Sequence, residues 1–224
     1  FRHPLRWLFF GAVALSLASC GGGGGKDGLA SPPAVVPQPA IVNAVGAGEF
    51  REAVALRTIA PAEINAAMDA DGPKAFRATP RYSVKAYRMN YLTVDGDGRQ
   101  ITASSLVTIP QKIAGARSPV LSYQHGTLTR SAEAPSNLPA IGNPEVVLAS
   151  LGYIVISADY VGYGVSKGVA HPYLLSAPTA SAVLDMLTAA KYWLQTQNVA
   201  DNQQLFMAGY SEGGFATMAA HRAL

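Results

Sequence analysis

The sequence predicts an α/β fold in which an antiparallel hairpin leads into a mostly parallel sheet with helices on both faces. Two features indicate this order. Two alternating, strand-like segments flank an Asp-Gly-Asp-Gly turn at residues 95–98, and after them apolar strands alternate with helical segments. The chain has 224 residues, 49% of them hydrophobic, which is enough for one sizeable core.

The N-terminal segment predicts export. Residues 1–19 combine a basic start with an apolar stretch of about twelve residues, which is typical of a signal peptide. They end in Leu-Ala-Ser before Cys20, which resembles the lipobox of bacterial lipoproteins, so we expect Cys20 to carry a lipid. Residues 20–40, rich in Gly and Pro, are then a flexible linker. The expected localisation is a bacterial membrane-anchored lipoprotein facing the periplasm or the cell surface, with secretion as the alternative.

Residues 41–81 are expected to form a helical N-terminal extension. Phe50, Val54 and Arg57 lie on helical spacing, which predicts a first short helix. A second helix is predicted over residues 61–68, with a proline in its first turn. The pattern leaves open whether this extension caps the main domain or only packs against it.

The main domain is expected over residues 82–224. It begins with the hairpin, whose strands are predicted over residues 82–94 and 101–109. The Asp-Gly-Asp-Gly segment between them has the composition of a calcium loop. It lacks the glutamate position of an EF-hand, and the hairpin context favours a turn.

Three further strands alternate with helices after the hairpin. We expect strands at residues 119–124, 153–158 and 204–208, and helices at residues 144–151, from 178 to about 195, and after residue 211. The ligand crevice of such a sheet lies at the carboxyl ends of its strands. The segments at residues 125–127, 159–164 and 209–213 all follow strands, so they are expected to converge there.

The sequence Gly-Tyr-Ser-Glu-Gly at residues 209–213 is the strongest catalytic motif. It lies between a predicted strand and a predicted helix, which is the context that this motif requires, and Ser211 is therefore the candidate nucleophile. Gly209 and Gly213 are expected to remove side chains that would collide with the adjacent strand and helix, and Gly214 fits the same demand.

These residues resemble the α/β-hydrolases and, within them, the secretory lipase group of exported serine esterases. The matching segments are residues 123–127, 159–164, 171–174 and 209–214. The resemblance implies that residues 82–224 are the N-terminal, incomplete portion of an α/β-hydrolase domain. It also implies an enzyme that cleaves acyl and lipid esters through an acyl-serine intermediate.

The resemblance also implies roles for individual residues. The backbone N–H of Glu212 and the loop residue Thr127 would form the oxyanion hole. Three further residues are expected to be structural. His125 precedes a glycine at a strand end and is expected to shape that loop rather than act as a base, and His171 beside Pro172 is likewise expected to be structural. Asp159 is expected to organise its loop rather than serve as the triad acid, because the family order is Ser, then Asp or Glu, then His.

The order of the family's triad places the acid and the histidine after the serine. His221 follows Ser211 on the same helix, about 15 Å along its axis, and cannot act as its base. We therefore expect that the triad acid and histidine are not present in this chain, which would be an inactive fragment of a longer enzyme.

The charge composition gives no support for a nucleic-acid partner. Arg2 and Arg6 lie in the expected signal peptide, and without them the basic residues barely exceed the 14 acidic ones, so nucleic-acid binding has no support. We expect an acyl ester as substrate, the membrane as a partner through the lipid anchor, and neither a metal nor another cofactor. Two alternatives remain open: a serine peptidase of the same fold, and a non-catalytic lipid-anchored binding protein or remnant.

Overall fold

The computed structural model describes residues 39–70, 78–137 and 139–224, and a six-stranded sheet lies at its centre. Its strands are β1 (Phe50–Ile59), β2 (Val84–Val94), β3 (Gln100–Pro110), β4 (Ser118–Gln124), β5 (Ile154–Ala158) and β6 (Asp201–Gly209). Its helices are α1 (Pro61–Ala70), α2 (Pro144–Ser150), α3 (Ser176–Thr196) and α4 (Glu212–Ala223), with single 3₁₀ turns at Ser131–Glu133 and Gly164–Ser166. In space the strands follow the order β1-β2-β3-β5-β4-β6.

The expected signal peptide, the lipidation site Cys20 and nearly all of the expected linker lie outside the described residues. In the parts of the chain that are described, no helix has both the length and the apolar character needed to cross a membrane.

The prediction of a helix around residues 50–57 is wrong, because this segment is strand β1. It pairs antiparallel with β2, from Phe50 opposite Tyr91 to Ile59 opposite Val84. The ladder contains two irregularities, one after Phe50 and one after Ala55, and each interrupts the two-residue alternation of side chains. Because the alternation is interrupted, the side chains of this segment do not follow a two-residue period, and the spacing of Phe50, Val54 and Arg57 matched that of a helix. The helix predicted over residues 61–68 is confirmed as α1, but residues 41–81 are not a helical extension, because β1 belongs to the main sheet.

The predicted hairpin is confirmed, and its turn is organised by a buried aspartate. One carboxylate oxygen of Asp95 accepts the backbone N–H groups of Asp97 and Arg99, each at 2.9 Å. The other accepts the Arg99 guanidinium, also at 2.9 Å. These hydrogen bonds lower the pKa of Asp95, the bond from the Arg99 backbone most strongly. The Asp-Gly-Asp-Gly segment is therefore a tight turn whose first carboxylate is fully engaged by the turn itself.

The second half of the sheet is parallel, as the alternating order predicted. β5 pairs antiparallel with β3, whereas β4 lies parallel to both β5 and β6. Gln124 at the end of β4 lies opposite Gly209 at the end of β6. Because the strands are parallel, the loops that follow β4, β5 and β6 leave the sheet at the same edge.

Helices cover both faces of the sheet, and β5 shows how the two cores are separated. Ile154 and Ile156 pack into a core formed with α3 and α4, whereas Val155 faces the opposite core formed with α1 and α2. This alternation along one buried strand explains why the sequence of β5 is continuously apolar. The fold class predicted from the sequence is confirmed.

One of the two edge strands of the described sheet is β6, which pairs with β4; the other is β1. Leu205 and Phe206 in this strand are 44% and 47% exposed, although the strand leads directly into the Gly-Tyr-Ser-Glu-Gly segment. A cleft of about 150 Å³ lies beside β6, between it and α3.

Candidate active site

Ser211 lies in the sharp turn between β6 and α4, and its backbone is strained. Its φ is 54° and its ψ is −119°, a conformation that side-chain-bearing residues rarely adopt. Hydrogen bonds on both sides hold the turn: Tyr210 N–H donates to Gln124 O at 3.2 Å, and Gly213 N–H donates to Tyr210 O at 2.8 Å. The Ser211 side chain is exposed at the carboxyl end of the sheet, where the sequence predicted it.

Two glycines of the motif allow the close approach of strand and helix. A Cβ on Gly209 would collide with Gly213 O, and a Cβ on Gly213 would collide with the carbonyls of Gln124 and His125. Gly214 is different, because the nearest atom to its Cβ position is Gly209 O at 3.9 Å. The steric reason expected for Gly209 and Gly213 is therefore present, whereas the same expectation for Gly214 is wrong.

The loop that follows β4 lies directly against the serine. A Cβ on Gly126 would lie 3.6 Å from Ser211 Cβ and 3.2 Å from the Tyr210 ring, which shows how near this loop approaches. Thr127 follows Gly126 and is exposed. Among the described residues, neither the Thr127 N–H nor the Glu212 N–H has a backbone acceptor. The Glu212 N–H also begins α4, where the partial positive charge of a helix N-terminus attracts anions.

The loop after β5 holds this β4 loop in place through two tyrosines that the sequence analysis did not single out. The Tyr160 hydroxyl donates to His125 O at 3.1 Å, and the Tyr163 hydroxyl donates to Leu128 O at 2.8 Å. Both acceptors flank the Gly-Thr pair, so its backbone is fixed from either side. Tyr160 is buried and has a positive φ of 64°, and its ring centroid lies 4.3 Å from that of His125, with the two rings tilted by 38°. The signal was present in the Asp-Tyr-Val-Gly-Tyr-Gly segment, which carries both rings.

Asp159 organises the loop after β5, as the sequence predicted. Its buried carboxylate accepts hydrogen bonds from the Ser104 hydroxyl and from the Ser136 backbone N–H and hydroxyl. A side chain at Gly164 would collide with this carboxylate, which explains the glycine there. Asp159 thus joins β3, the Ser136 segment and its own loop.

We expect Asp159→Ala to lower the free energy of unfolding by about 2 to 4 kcal/mol, because three buried donors would lose their acceptor. Urea unfolding at one pH measures this loss. An Asp159→Ala protein as stable as the unmodified one would show that water replaces the carboxylate without cost.

The buried carboxyl of Asp159 also predicts how the stability of the fold changes with pH. Burial, the larger cause, raises the pKa of Asp159 above its ordinary value of 3.8, and the bonds from Ser104 and Ser136 lower it in part. The folded state therefore retains the proton to higher pH than the unfolded state, and stability falls as pH rises from about 3.8 through the folded-state pKa. The stability of the unmodified protein minus that of Asp159→Asn should decrease over this interval. A difference that is constant or rises with pH would contradict the direction of the shift.

Three histidines lie in the described residues, and none of them is hydrogen-bonded to Ser211. His125 Nδ1 bonds Gly126 O at 2.8 Å within its own loop, which agrees with the loop-shaping role expected for it. His171 bonds Val161 and Glu212. His221 is exposed near the end of α4. The described residues thus bring together the serine and two free backbone donors, without an imidazole at the serine.

Part of the chain matches a known protein family. Residues 145–224 match the family described as secretory lipase, a region that contains the motif around Ser211 but not Thr127. No curated protein sequence matches the chain.

Three solved structures are similar to the described fold. A Legionella pneumophila protein is 32% identical with a TM-score of 0.71, over 78% of this chain and 47% of its own. The rice cell wall degrading esterase LipA from Xanthomonas oryzae is 29% identical with a TM-score of 0.70, over 80% and 46%. Candida antarctica lipase A, at 21% identity and a TM-score of 0.53 over 78% and 38%, shares the fold.

The chain spans about half the length of the first two solved structures, and slightly more than a third of the third. The similarity covers about 80% of this chain. The chain therefore has the α/β-hydrolase fold of lipases and esterases, and its residues 145–224 match the secretory lipase family.

Proposed function

We propose that this protein hydrolyses carboxylic esters of acyl or lipid type, with Ser211 as the nucleophile. The observation that carries the proposal is the strained turn that exposes Ser211 at the end of β6, directly against the loop that contains Thr127. The match to the secretory lipase family and the similarity to an esterase support the same class of reaction.

The reaction would proceed in two steps. Ser211 Oγ attacks the ester carbonyl and transfers its proton to a general base, and collapse of the tetrahedral intermediate expels the alcohol and leaves an acyl-serine. Water then attacks the acyl group, releases the carboxylic acid and restores the serine. The negative oxygen of each intermediate would accept hydrogen bonds from the N–H groups of Glu212 and Thr127, both without backbone acceptors in the described fold.

This mechanism needs a base that the described residues do not provide. None of the three described histidines is hydrogen-bonded to Ser211: His125 Nδ1 bonds its own loop, His171 bonds Val161 and Glu212, and His221 lies near the far end of α4. The acid and the histidine of the triad are therefore proposed to come from residues other than those described. Activity should be measured on the protein produced from its complete reading frame.

We further propose that the protein is exported and anchored by a lipid on Cys20. The lipobox-like pattern before Cys20 and the match to the secretory lipase family support this. Radiolabelled palmitate should enter the unmodified protein in a bacterial host and should not enter Cys20→Ser. Equal labelling of both would disprove the anchor, and recovery of unlabelled protein from the medium would favour secretion.

The proposed activity is tested with a panel of substrates. We expect turnover of acyl esters of graded chain length and little turnover of matched aminoacyl amides. We also expect a fluorophosphonate probe to label Ser211. Preferred cleavage of the amides would favour the peptidase alternative. A folded protein that neither turns over esters nor takes the probe would favour a binding protein.

A further inference from the structure

The side chain of Glu212 is placed unexpectedly for the residue that follows the serine. It is only 4% exposed, so a carboxylate is buried one residue from the position where the proposed mechanism develops a negative oxygen. A buried charge of the same sign would oppose that oxygen unless it is compensated. One oxygen, Oε1, lies 2.8 Å from His171 Nε2, and the other has no partner among the described residues.

The hydrogen bonds of His171 define how the pair is held. Its Nδ1 lies 2.7 Å from Val161 O, and because a carbonyl oxygen only accepts, Nδ1 carries the proton of that bond. A hydrogen bond between Nε2 and Glu212 Oε1 requires a proton on one of these two atoms, because neither a bare ring nitrogen nor a carboxylate oxygen can donate. His171 thereby connects the backbone of the loop after β5 to the first residue of α4.

The histidine is itself firmly positioned. Its ring lies 4.9 Å from that of Tyr163 at an angle of 63°, and 6.2 Å from that of Tyr160 in a nearly parallel stack. Gly162, at a φ of 95°, allows the His171 backbone to approach, since its Cβ position lies 2.9 to 3.1 Å from His171 atoms. A larger residue at this position would push the histidine away from Glu212.

One loop is therefore connected to both segments that carry the proposed oxyanion donors. Residues 159–164 hold the Thr127 loop through the hydroxyls of Tyr160 and Tyr163. They hold the start of α4 through Val161, His171 and Glu212. The relative position of the two N–H groups then depends on this loop, although neither group belongs to it.

We propose that His171 is a positioning residue which, through its hydrogen bond to Glu212, holds the backbone of residues 211–213 in the conformation that aims the Glu212 N–H at the oxyanion. The catalytic part of this proposal rests on the proposed ester hydrolysis at Ser211. The structural part, the restraint of the Ser211 turn, does not depend on activity.

Loss of the hydrogen bond between His171 and Glu212 is expected to lower the reaction rate measurably. Without His171, neither oxygen of the Glu212 carboxylate has a partner among the described residues, and a buried charge without a partner is costly. We expect the first turn of α4 to be disturbed as a result. A displacement of about 1 Å in a reactive group can cost a factor of about 10² in rate, and loss of an oxyanion donor costs about 10² to 10³.

The test uses protein from the complete reading frame and compares matched substitutions. His171→Phe keeps a ring among the tyrosines but removes both hydrogen bonds. His221→Phe makes the same change at an exposed site on α4 and serves as the control. Glu212→Gln keeps a hydrogen bond, because its amide can donate to His171 Nε2, whereas Glu212→Leu cannot.

We expect His171→Phe to lower kcat on an acyl ester by about 10- to 100-fold with KM changed less than about threefold, at a temperature where circular dichroism shows it folded. Glu212→Gln should retain most of the activity that Glu212→Leu loses, and His221→Phe should match the unmodified protein. Turnover by folded His171→Phe within about threefold of the unmodified protein would overturn the catalytic part. Equal losses in Glu212→Gln and Glu212→Leu would also contradict it, because the hydrogen bond would then have no role.

A second readout separates this proposal from the proposed function. Amide hydrogen exchange of a peptide covering residues 209–215 should be faster in His171→Phe than in His221→Phe, whether or not the protein hydrolyses esters. If the unmodified protein shows no turnover and no probe labelling, the proposed function fails, and exchange alone decides whether His171 restrains the turn. Unchanged exchange in His171→Phe would overturn the structural part.

Discussion

Ser211→Ala should abolish ester turnover, with a loss of at least about 10⁴-fold in kcat, because it removes the hydroxyl that would form the acyl intermediate. Labelling by a fluorophosphonate probe should disappear with it. The measurement compares initial rates on the preferred acyl ester at equal concentrations of folded protein. Retention of more than about 1% of the activity would show that Ser211 is not the nucleophile.

Ser211→Gly provides a matched control, because it removes the same hydroxyl and also relieves the backbone. With a φ of 54° and a ψ of −119°, residue 211 is in a region that glycine adopts without steric cost. Backbone strain of this kind costs about 1 to 3 kcal/mol, and glycine removes it. Glycine also raises the entropy of the unfolded chain, which lowers stability by about 0.5 to 1 kcal/mol and offsets part of this gain. We therefore expect Ser211→Gly to be more stable than Ser211→Ala by about 1 kcal/mol, and equally inactive. Equal stability would mean that the turn is not strained.

Gly213→Ala should destabilise the fold by about 3 kcal/mol or more and abolish labelling of Ser211. The added methyl group would meet the backbone of Gln124 and His125, which cannot rotate away as a side chain could. Either β4 or α4 must then move, and the Thr127 loop follows β4 directly. Urea unfolding and probe labelling measure the two effects separately.

Gly214→Ala is the control for that substitution, since it adds the same methyl group one residue later. Its Cβ has no neighbour closer than 3.9 Å, and alanine is favoured over glycine inside a helix by about 0.5 to 1 kcal/mol. We expect this variant to be at least as stable as the unmodified protein. Similar destabilisation by both alanines would show that the collision at Gly213 is not the cause.

The elements that were predicted correctly are those whose signal is local. β5 was recognised from its continuous apolar run, α3 from its length and periodicity, and the hairpin from the glycines of its turn. The Ser211 turn was recognised because its strand, glycines and helix lie within a few residues of one another. In each case the pattern and the structure depend on the same short stretch of chain.

The predictions that were wrong or missing concern features that depend on contacts between segments distant in sequence. β1 was taken as a helix because two irregularities in its ladder hide the alternation, and only pairing with β2 reveals it. Gly214 was grouped with Gly209 and Gly213, although distances to other segments distinguish them. The tyrosines that hold the Thr127 loop act through contacts 35 residues apart in sequence.

The sequence by itself determined the α/β order of elements, the turn that carries Ser211, and the edge of the sheet where the loops after β4, β5 and β6 meet. These follow from periodicity, turn chemistry and the direction of parallel strands. Only the tertiary structure decided that β1 completes the sheet and that His171 bonds Glu212, 41 residues away. The physical reason is that hydrogen bonding and steric contact depend on distances in space, which the folded sheet sets.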